Sequence, residues 1–190
     1  MFSKEEFDNE RFIKKDFSNI EIKDKVFFRC IFENCNFSKT KINSKFTECK
    51  FLGSNFSLTQ FLNARLQDAS FENCKIVGVN FGRCDPMFFS LKFLSCLIDT
   101  ANFSDSDLKN FIFLNSTVRD TFFKNSNLSK ASFANSDLRG SIFHNSNLSK
   151  ADFKGAVNYC IDPNTNQLAK AEFSKGEVLG LLNYLDIIID

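Results

Sequence analysis

The sequence has few of the residues that usually carry chemistry. Its 190 residues include no tryptophan, two prolines, two methionines and a single histidine, His144. It contains no glycine-rich phosphate loop, HExxH zinc motif or GxSxG nucleophile motif. The histidine directly follows Phe143, and we expect it to face solvent. These absences predict a protein that is not an enzyme and that binds neither a cofactor nor a metal.

An excess of charge of one sign and a long apolar run are also absent. The formal net charge is +1 at pH 7, which argues against simple electrostatic binding to nucleic acid or to an anionic membrane. No apolar run approaches the roughly 20 residues of a membrane helix. The first residues lack the apolar region of a signal peptide. We therefore expect a cytoplasmic protein with no membrane contact and no direct binding to nucleic acid.

Phenylalanine, by contrast, is abundant, with 26 residues. Across residues 101–153 every fifth residue is large and apolar, and a small residue almost always lies two positions before it. A period of five gives no stripe on an α-helix and alternates between the two faces of a straight strand. The chain therefore has to turn a corner after each repeat, which predicts a solenoid with short, strand-like sides.

The repeat also predicts how many sides each coil has. Phenylalanine alternates with an aliphatic residue, so the number of repeats in a coil is even. Two sides leave no interior, and six leave a lumen that side chains do not fill. Residues 125–133 and 145–153 are near-copies twenty positions apart, the length of one four-sided coil. We predict two phenylalanine columns on opposite sides of the interior, Phe93, Phe113, Phe133 and Phe153 in one and Phe103, Phe123 and Phe143 in the other.

The seven cysteines fit the repeat better than a metal site or a set of disulfides. Five of them lie two residues before a central apolar residue, where we expect small buried side chains: Cys30, Cys35, Cys49, Cys74 and Cys96. A metal or redox site is the alternative. Cys84 and Cys160 lie outside the pattern and are candidate reactive thiols.

The repeat is interrupted twice. Between Ile42 and Phe46 the spacing shortens by one residue, which predicts a bulge or a tightened corner. Residues 82–87 then add two residues before Phe88, which we take as the next central residue.

The second interruption contains a glycine and Pro86, which predict a turn. One interpretation is a surface loop without a role. The other is that the turn presents Arg83 and Asp85 to a partner, because loops carry function more often than regular walls.

The repeat fades after Gly155, and helical features follow. Ser174 and Glu177 form a capping-box motif, and the residues after them have apolar positions at helical spacing. The apolar surplus predicts an interface with a second copy of the chain. The predicted dimer interface consists of Val178, Leu181, Leu182, Leu185, Ile187, Ile188 and Ile189.

Two regions follow from these patterns. Residues 1–157 are assigned to the solenoid, with register breaks near 43–45 and 82–87. Residues 158–190 are assigned to a turn, a C-terminal α-helix and a short tail, which cap the solenoid and form a homodimer.

Several repeats resemble a known family. The sequences at residues 131–135, 136–140 and 151–155 closely resemble the A(D/N)LXX unit of pentapeptide repeat proteins. The resemblance implies an all-β solenoid, a right-handed quadrilateral β-helix. The Ile-Asp-Pro turn, capped helix and isoleucine-rich end are similar to the Qnr, MfpA and microcin-immunity type. Members of that type dimerise through the C-terminal helix, mimic DNA and act on type II topoisomerases.

The resemblance implies a cytoplasmic dimer that binds DNA gyrase or topoisomerase IV and protects it from quinolones or toxins. The alternative is a structural or adaptor scaffold with an unrelated protein partner. The chain departs from a DNA mimic in having a basic side and no long projecting loop. Besides Arg83 and Asp85, the predicted partner contacts are the acidic residues Asp162, Glu172 and Glu177.

Overall fold

The structure, a computed structural model, describes residues 4–184, which form a parallel β-solenoid of about eight turns. Its strands are short because each side of a coil holds only about five residues. The strands are β1 (Glu6–Asp8), β2 (Arg11–Ile13), β3 (Glu21–Phe28), β4 (Ile31–Glu33), β5 (Lys41–Thr47), β6 (Lys50–Leu52), β7 (Gln60–Phe61), β8 (Arg65–Gln67), β9 (Ala69–Glu72), β10 (Lys75–Val77), β11 (Leu91–Leu94), β12 (Leu97–Asp99), β13 (Ile112–Leu114), β14 (Thr117–Arg119), β15 (Asp152–Phe153) and β16 (Glu172–Phe173). Two 3-10 helices, Phe81–Arg83 and Val178–Tyr184, complete the described elements.

Every strand pair is parallel and joins one coil to the next. The longest sheet has the order β13-β11-β9-β6-β4-β2, a second has β10-β12-β14, and β15 pairs with β16. The remaining sheet has the order β1-β3-β5-β7, with β8 also paired to β5. In the regular part, central residues twenty positions apart are partners, as Phe93 and Phe113 are. Isolated bridges such as that between Asn127 and Asn147 continue the sides where no strand is assigned.

Residues in the left-handed backbone conformation form the corners. They lie two positions after the central residues and recur every five residues, as at Asn115, Asp120 and Asn125. Asn and Asp tolerate a positive φ because their short side chains bond to nearby backbone. Four such corners in a coil of twenty residues return every central residue to one interior, as the repeat predicts.

The two predicted phenylalanine columns are present and face each other. In one column, the ring centroid of Phe133 lies 4.9 Å from that of Phe113 and 5.1 Å from that of Phe153. In the other, the centroids of Phe123 and Phe143 lie 5.0 Å apart. The columns meet edge to face, with Phe123 and Phe133 at 85°. All seven predicted core phenylalanines are buried: Phe93, Phe103, Phe113, Phe123, Phe133, Phe143 and Phe153.

The small residues between the columns also bind neighbouring coils to each other. The Ser136 hydroxyl donates a hydrogen bond to the Phe113 carbonyl at 2.7 Å and accepts one from the Ser116 N–H at 2.9 Å. The Cys96 thiol donates to the Phe71 carbonyl at 3.3 Å. The prediction that the cysteines at this position are buried is confirmed for Cys30, Cys35, Cys49, Cys74 and Cys96. These thiols therefore fill space and also form hydrogen bonds, which the repeat pattern alone does not indicate.

The solenoid continues past the point where the sequence repeat fades. The Phe173 ring stacks on that of Phe153 with centroids 5.1 Å apart. Asn166 replaces the small residue of this coil: its side-chain amide donates to the Phe143 carbonyl at 3.0 Å and accepts from the Ser146 N–H at 3.0 Å. Part of the 158–190 segment therefore builds a last coil, and its separate capping and dimerising role stays a prediction.

The predicted C-terminal α-helix is wrong for the described residues, because Val178–Tyr184 is a 3-10 helix of seven residues. Ser174, expected to cap an α-helix, accepts a hydrogen bond from the Gly155 N–H at 2.8 Å instead. Glycines at 176 and 180 further disfavour an α-helix, by about 1 kcal/mol each. The segment is therefore held against the solenoid by contacts with the preceding coil.

Candidate functional site

The first interruption of the repeat is a tightened corner, as predicted. The register between β3 and β5 shifts between Lys23 and Val26, so two unpaired residues of β3 lie opposite one residue of β5. That residue, Ser44, accepts a hydrogen bond from the Lys25 N–H and donates one to the Ile22 carbonyl, both at 3.1 Å. The third coil consequently has one residue fewer at this corner than the second.

The second interruption is an insertion at residues 82–90, here called the 82–90 loop. The prediction that Phe88 is a central core residue is wrong: its side chain is 64% exposed and its φ is 60°. Phe89 packs against the core instead, with its ring centroid 5.1 Å from that of Phe111. The two extra residues let the chain leave the wall and rejoin it at Leu91, so Phe88 points outward.

Asp85 anchors the 82–90 loop. Its carboxylate accepts hydrogen bonds from the Met87 N–H at 2.9 Å and from the Arg65 guanidinium at 2.8 Å. These two donors, in that order, hold the pKa of Asp85 below its usual value. Met87 is itself 54% exposed. The Asp85 carboxylate thus stabilises the conformation of the loop, and in this conformation the Met87 and Phe88 side chains are exposed to solvent.

The two interruptions meet at one corner and enclose a polar cleft of about 360 Å³. The shortened third coil leaves room there, and the start of the 82–90 loop forms the far wall. Its charged and hydroxyl-bearing lining residues come from successive coils and from the loop: Asp24, Lys25, Ser44, Lys45, Arg65 and Asp85.

Lysine and arginine side chains from three consecutive coils line this corner. Lys45 is the strand partner of Val26 on one side and of Arg65 on the other. Arg65 is paired with Asp85. Lys25 and Lys45 form no ion pair within residues 4–184. The sequence pattern shows both interruptions. It could also have indicated these three basic residues, which recur every twenty positions, but no prediction was based on them.

The acidic residues predicted as tail contacts do not form one surface. Asp162 lies at the end of one phenylalanine column and Glu172 at the end of the other, on opposite sides of the solenoid. Glu172 forms an ion pair with Lys154 at 2.5 Å, and Asp162 accepts a hydrogen bond from the Asn164 N–H at 2.8 Å. Glu177 is exposed.

The predicted dimer interface is partly described. Val178, Leu181 and Leu182 are half-buried in the 3-10 helix, and Leu181 packs against the core of its own chain. Because they do not form an apolar α-helical face, the described residues give no support to dimerisation through a C-terminal helix. The remaining predicted interface residues, Leu185, Ile187, Ile188 and Ile189, lie outside the described residues.

The other candidate reactive groups lie far apart. Arg83 and His144 are exposed, as expected for the histidine. Cys84 is buried, and burial raises the pKa of its thiol. Cys160 is exposed and donates a hydrogen bond to the Tyr184 hydroxyl at 3.3 Å. Within residues 4–184, His, Cys, Asp and Glu side chains form no group of three or more that could hold a metal ion.

No helix in the described part of the chain is both long enough and apolar enough to cross a bilayer.

Models of two repeat families match the chain over most of the solenoid. A pentapeptide repeat region matches residues 25–87, and pentapeptide repeats in eight copies match residues 101–140 and 119–155. The chain belongs to the pentapeptide repeat family. The matched residues thus include the first interruption, residues 82–87 of the second and the regular stretch.

Solved structures with this fold extend over nearly the whole chain. Two are trypsin-treated variants of QnrB1, a plasmid-mediated fluoroquinolone resistance protein. One is 17% identical and covers 98% of this chain and 92% of its own, with a TM-score of 0.64. The other is 15% identical and covers 97% and 100%, with a TM-score of 0.66. At this identity the likeness shows the fold. No curated protein sequence matches the chain.

Proposed function

We propose that this pentapeptide repeat protein is a non-enzymatic, cytoplasmic binding protein that contacts DNA gyrase or topoisomerase IV and protects it from quinolones or toxins. The observation that carries the proposal is the 82–90 loop, which exposes two large apolar side chains, Met87 and Phe88. The likeness to QnrB1, a fluoroquinolone resistance protein, over almost the whole chain supports a role in protection from quinolones.

The interior of the rod is filled, so binding takes place on its surface. The stacked and edge-to-face rings of Phe123 and Phe133 leave no space for a substrate between the columns. Met87 and Phe88 are 54% and 64% exposed, and large apolar side chains of this kind are common anchors of protein interfaces. Asp85 holds the loop in place before any partner binds. The loop therefore loses less conformational entropy on binding, which favours affinity.

Charge on the rod argues for a contact at the loop instead of along a DNA-like stripe. Opposite charges pair on its surface, as Arg119 and Asp137 do at 2.5 Å and Arg11 and Glu33 do at 2.5 Å. Glu172, one of the predicted acidic contacts, is neutralised by Lys154. We therefore place the main partner contact at Met87 and Phe88.

The second candidate is a structural or adaptor scaffold with an unrelated protein partner. The outer face of the six-stranded sheet favours it, because Leu94, Ile112 and Leu114 lie side by side there and are half-buried. A sheet face with several partly exposed apolar side chains suits a protein interface.

A gyrase supercoiling assay with a fluoroquinolone tests the first proposal. We expect the protein, titrated to micromolar concentration, to restore supercoiling, and the double variant Met87→Ala/Phe88→Ala to lose this effect. Ile13→Ala is the matched control, because Ile13 is 48% exposed on another part of the rod.

Absence of both rescue and inhibition by the wild-type chain contradicts the topoisomerase proposal and favours a scaffold. Equal loss of rescue in the double variant and in Ile13→Ala contradicts the assignment of the contact to the loop.

A further inference from the structure

We propose that the polar cleft at the interrupted corner binds a small phosphate-bearing molecule, with Lys25 and Lys45 as its charged ligands. This inference stands apart from the proposed topoisomerase contact, because it concerns the solenoid corner and needs no protein partner. It rests on the shape of the cleft, on its two unpaired lysines and on the polar groups around them.

The shape of the cleft follows from the two interruptions. Loss of one residue at Ser44 opens the corner of the third coil, and the 82–90 loop closes the far side through Asp85. The volume, about 360 Å³, lies at the lower end of the range of about 300–1,000 Å³ of small-molecule sites. It therefore has room for a phosphate and a short group attached to it.

The charges of the cleft favour an anion. Lys45 pairs in register with Val26, the residue after Lys25, so the two lysines leave neighbouring strands that lie about 4.8 Å apart. Two ammonium groups that line one cleft repel each other, and an anion bound between them relieves that repulsion. Neither forms an ion pair in the described part of the chain. An ammonium group is an established ligand of phosphate.

The remaining polar groups narrow the class of ligand. Arg65 is already paired with Asp85, so it adds directed N–H donors and no net charge. Asp24 also lines the cleft and has no cationic partner among residues 4–184. Its carboxylate repels a bare anion but accepts a hydrogen bond from an ammonium or hydroxyl group. The cleft thus suits a phosphate monoester that also carries an amine or a hydroxyl.

Titration of the full chain with inorganic phosphate and with phosphoethanolamine tests the proposal. Amide NMR spectra locate the site, and calorimetry gives the dissociation constants. We expect saturable shifts at the amides of Lys25, Ser44 and Lys45, with phosphoethanolamine bound more tightly than phosphate. Lys45→Gln should weaken binding of both about tenfold, the loss of one charge-assisted hydrogen bond.

Lys50→Gln is the matched control. Lys50 belongs to the same coil, is exposed, forms no ion pair within the described chain and does not line the cleft. Binding by this variant should equal that of the wild type. If Lys45→Gln and Lys50→Gln weaken binding equally, the effect is one of overall charge and the site does not exist.

Asp24→Asn tests the same cleft by removing a negative charge, whereas Lys45→Gln removes a positive one. It should tighten the binding of inorganic phosphate and reduce the preference for phosphoethanolamine, because the repelling carboxylate is gone. No saturable shift at millimolar phosphate or phosphoethanolamine, or weaker phosphate binding by Asp24→Asn, overturns the proposal.

Discussion

Two regions of the solenoid follow the same repeat but use their side chains differently. One is the regular stretch of residues 101–153, and the other is the interrupted corner, formed by residues 43–45 and the 82–90 loop. In the regular stretch, central rings such as Phe133 stack in columns, and small residues such as Ser136 bond to the preceding coil. At the interrupted corner the inward residues still pack, but charged side chains line a cleft and Phe88 projects into solvent. Regular register thus yields stability, and its interruption leaves groups available for binding.

The interruptions do not disturb the columns. The ring centroids of Phe32 and Phe51 lie 5.1 Å apart across the shortened coil, and those of Phe71 and Phe93 lie 5.2 Å apart across the insertion. The missing and extra residues are absorbed at the corner. A solenoid of this kind can therefore change its surface locally at little cost to its core.

The largest expected effect lies in the column. Phe133→Ala should lower the free energy of unfolding by about 3–5 kcal/mol, as truncation of a buried aromatic ring does. Phe88→Ala, at the interrupted corner, should change it by less than about 0.5 kcal/mol. Urea denaturation followed by circular dichroism measures both. Similar losses of unfolding free energy in the two variants would contradict the view that the column provides stability and the interrupted corner does not.

The hydrogen bonds between coils should come next. Ser136→Ala leaves the Phe113 carbonyl and the Ser116 N–H without this buried partner, which should cost about 1–3 kcal/mol of unfolding free energy. Ser149→Ala is the control, since the Ser149 hydroxyl makes no hydrogen bond within the described structure. The same denaturation curves test both variants. An unchanged midpoint for Ser136→Ala would mean that these serines only fill space and that their hydrogen bonds add no stability.

The corners of the regular stretch should respond to loss of glycine. Gly140 has a φ of +71°, and an added Cβ would lie 2.1 Å from the Asp120 Oδ1 atom. Gly140→Ala should therefore cost about 1–2 kcal/mol, the penalty of the left-handed conformation. Gly176→Ala meets nothing within 4 Å and serves as the control. A thermal midpoint equally insensitive to both changes would contradict a strained corner.

The smallest effect concerns the anchor of the 82–90 loop and depends on pH. The pKa of Asp85 is lowered from its ordinary value of 3.8, first by the Met87 N–H and then by Arg65. Its contribution to stability is therefore present above the unfolded-state pKa and is lost as the pH falls through the folded-state pKa. Asp85→Asn should be less stable than the wild type at neutral pH, with a difference that shrinks in acid. A difference that does not vary with pH would contradict this anchoring role.

Much of the fold was predictable because the repeat is local and periodic. The five-residue spacing of residues such as Phe123, Leu128 and Phe133 places each on the next side of the coil, and the twenty-residue copies give the stacking. Two predictions failed where a distant contact decides. Phe89, not Phe88, faces the core because the loop leaves the wall, and Ser174 bonds to Gly155 instead of capping an α-helix.

The candidate site was predictable only in part. The interruptions at residues 43–45 and 82–87 are visible as changes of spacing. The contact of Asp85 with a partner stays a prediction, and its role as the anchor of the loop was not predicted. The twenty-residue spacing of Lys25, Lys45 and Arg65 could have indicated that they lie near one another. The cleft that they line was not predictable, because it forms only where the two interruptions meet.

By itself, the sequence determined the solenoid, its phenylalanine columns and the places where the repeat breaks, because a buried periodic pattern leaves only one way to turn every large residue inward. Only the tertiary structure decided what the breaks do. Stacking of successive coils brings the two interruptions to one corner, and there the groups left over from the repeat face a common cleft.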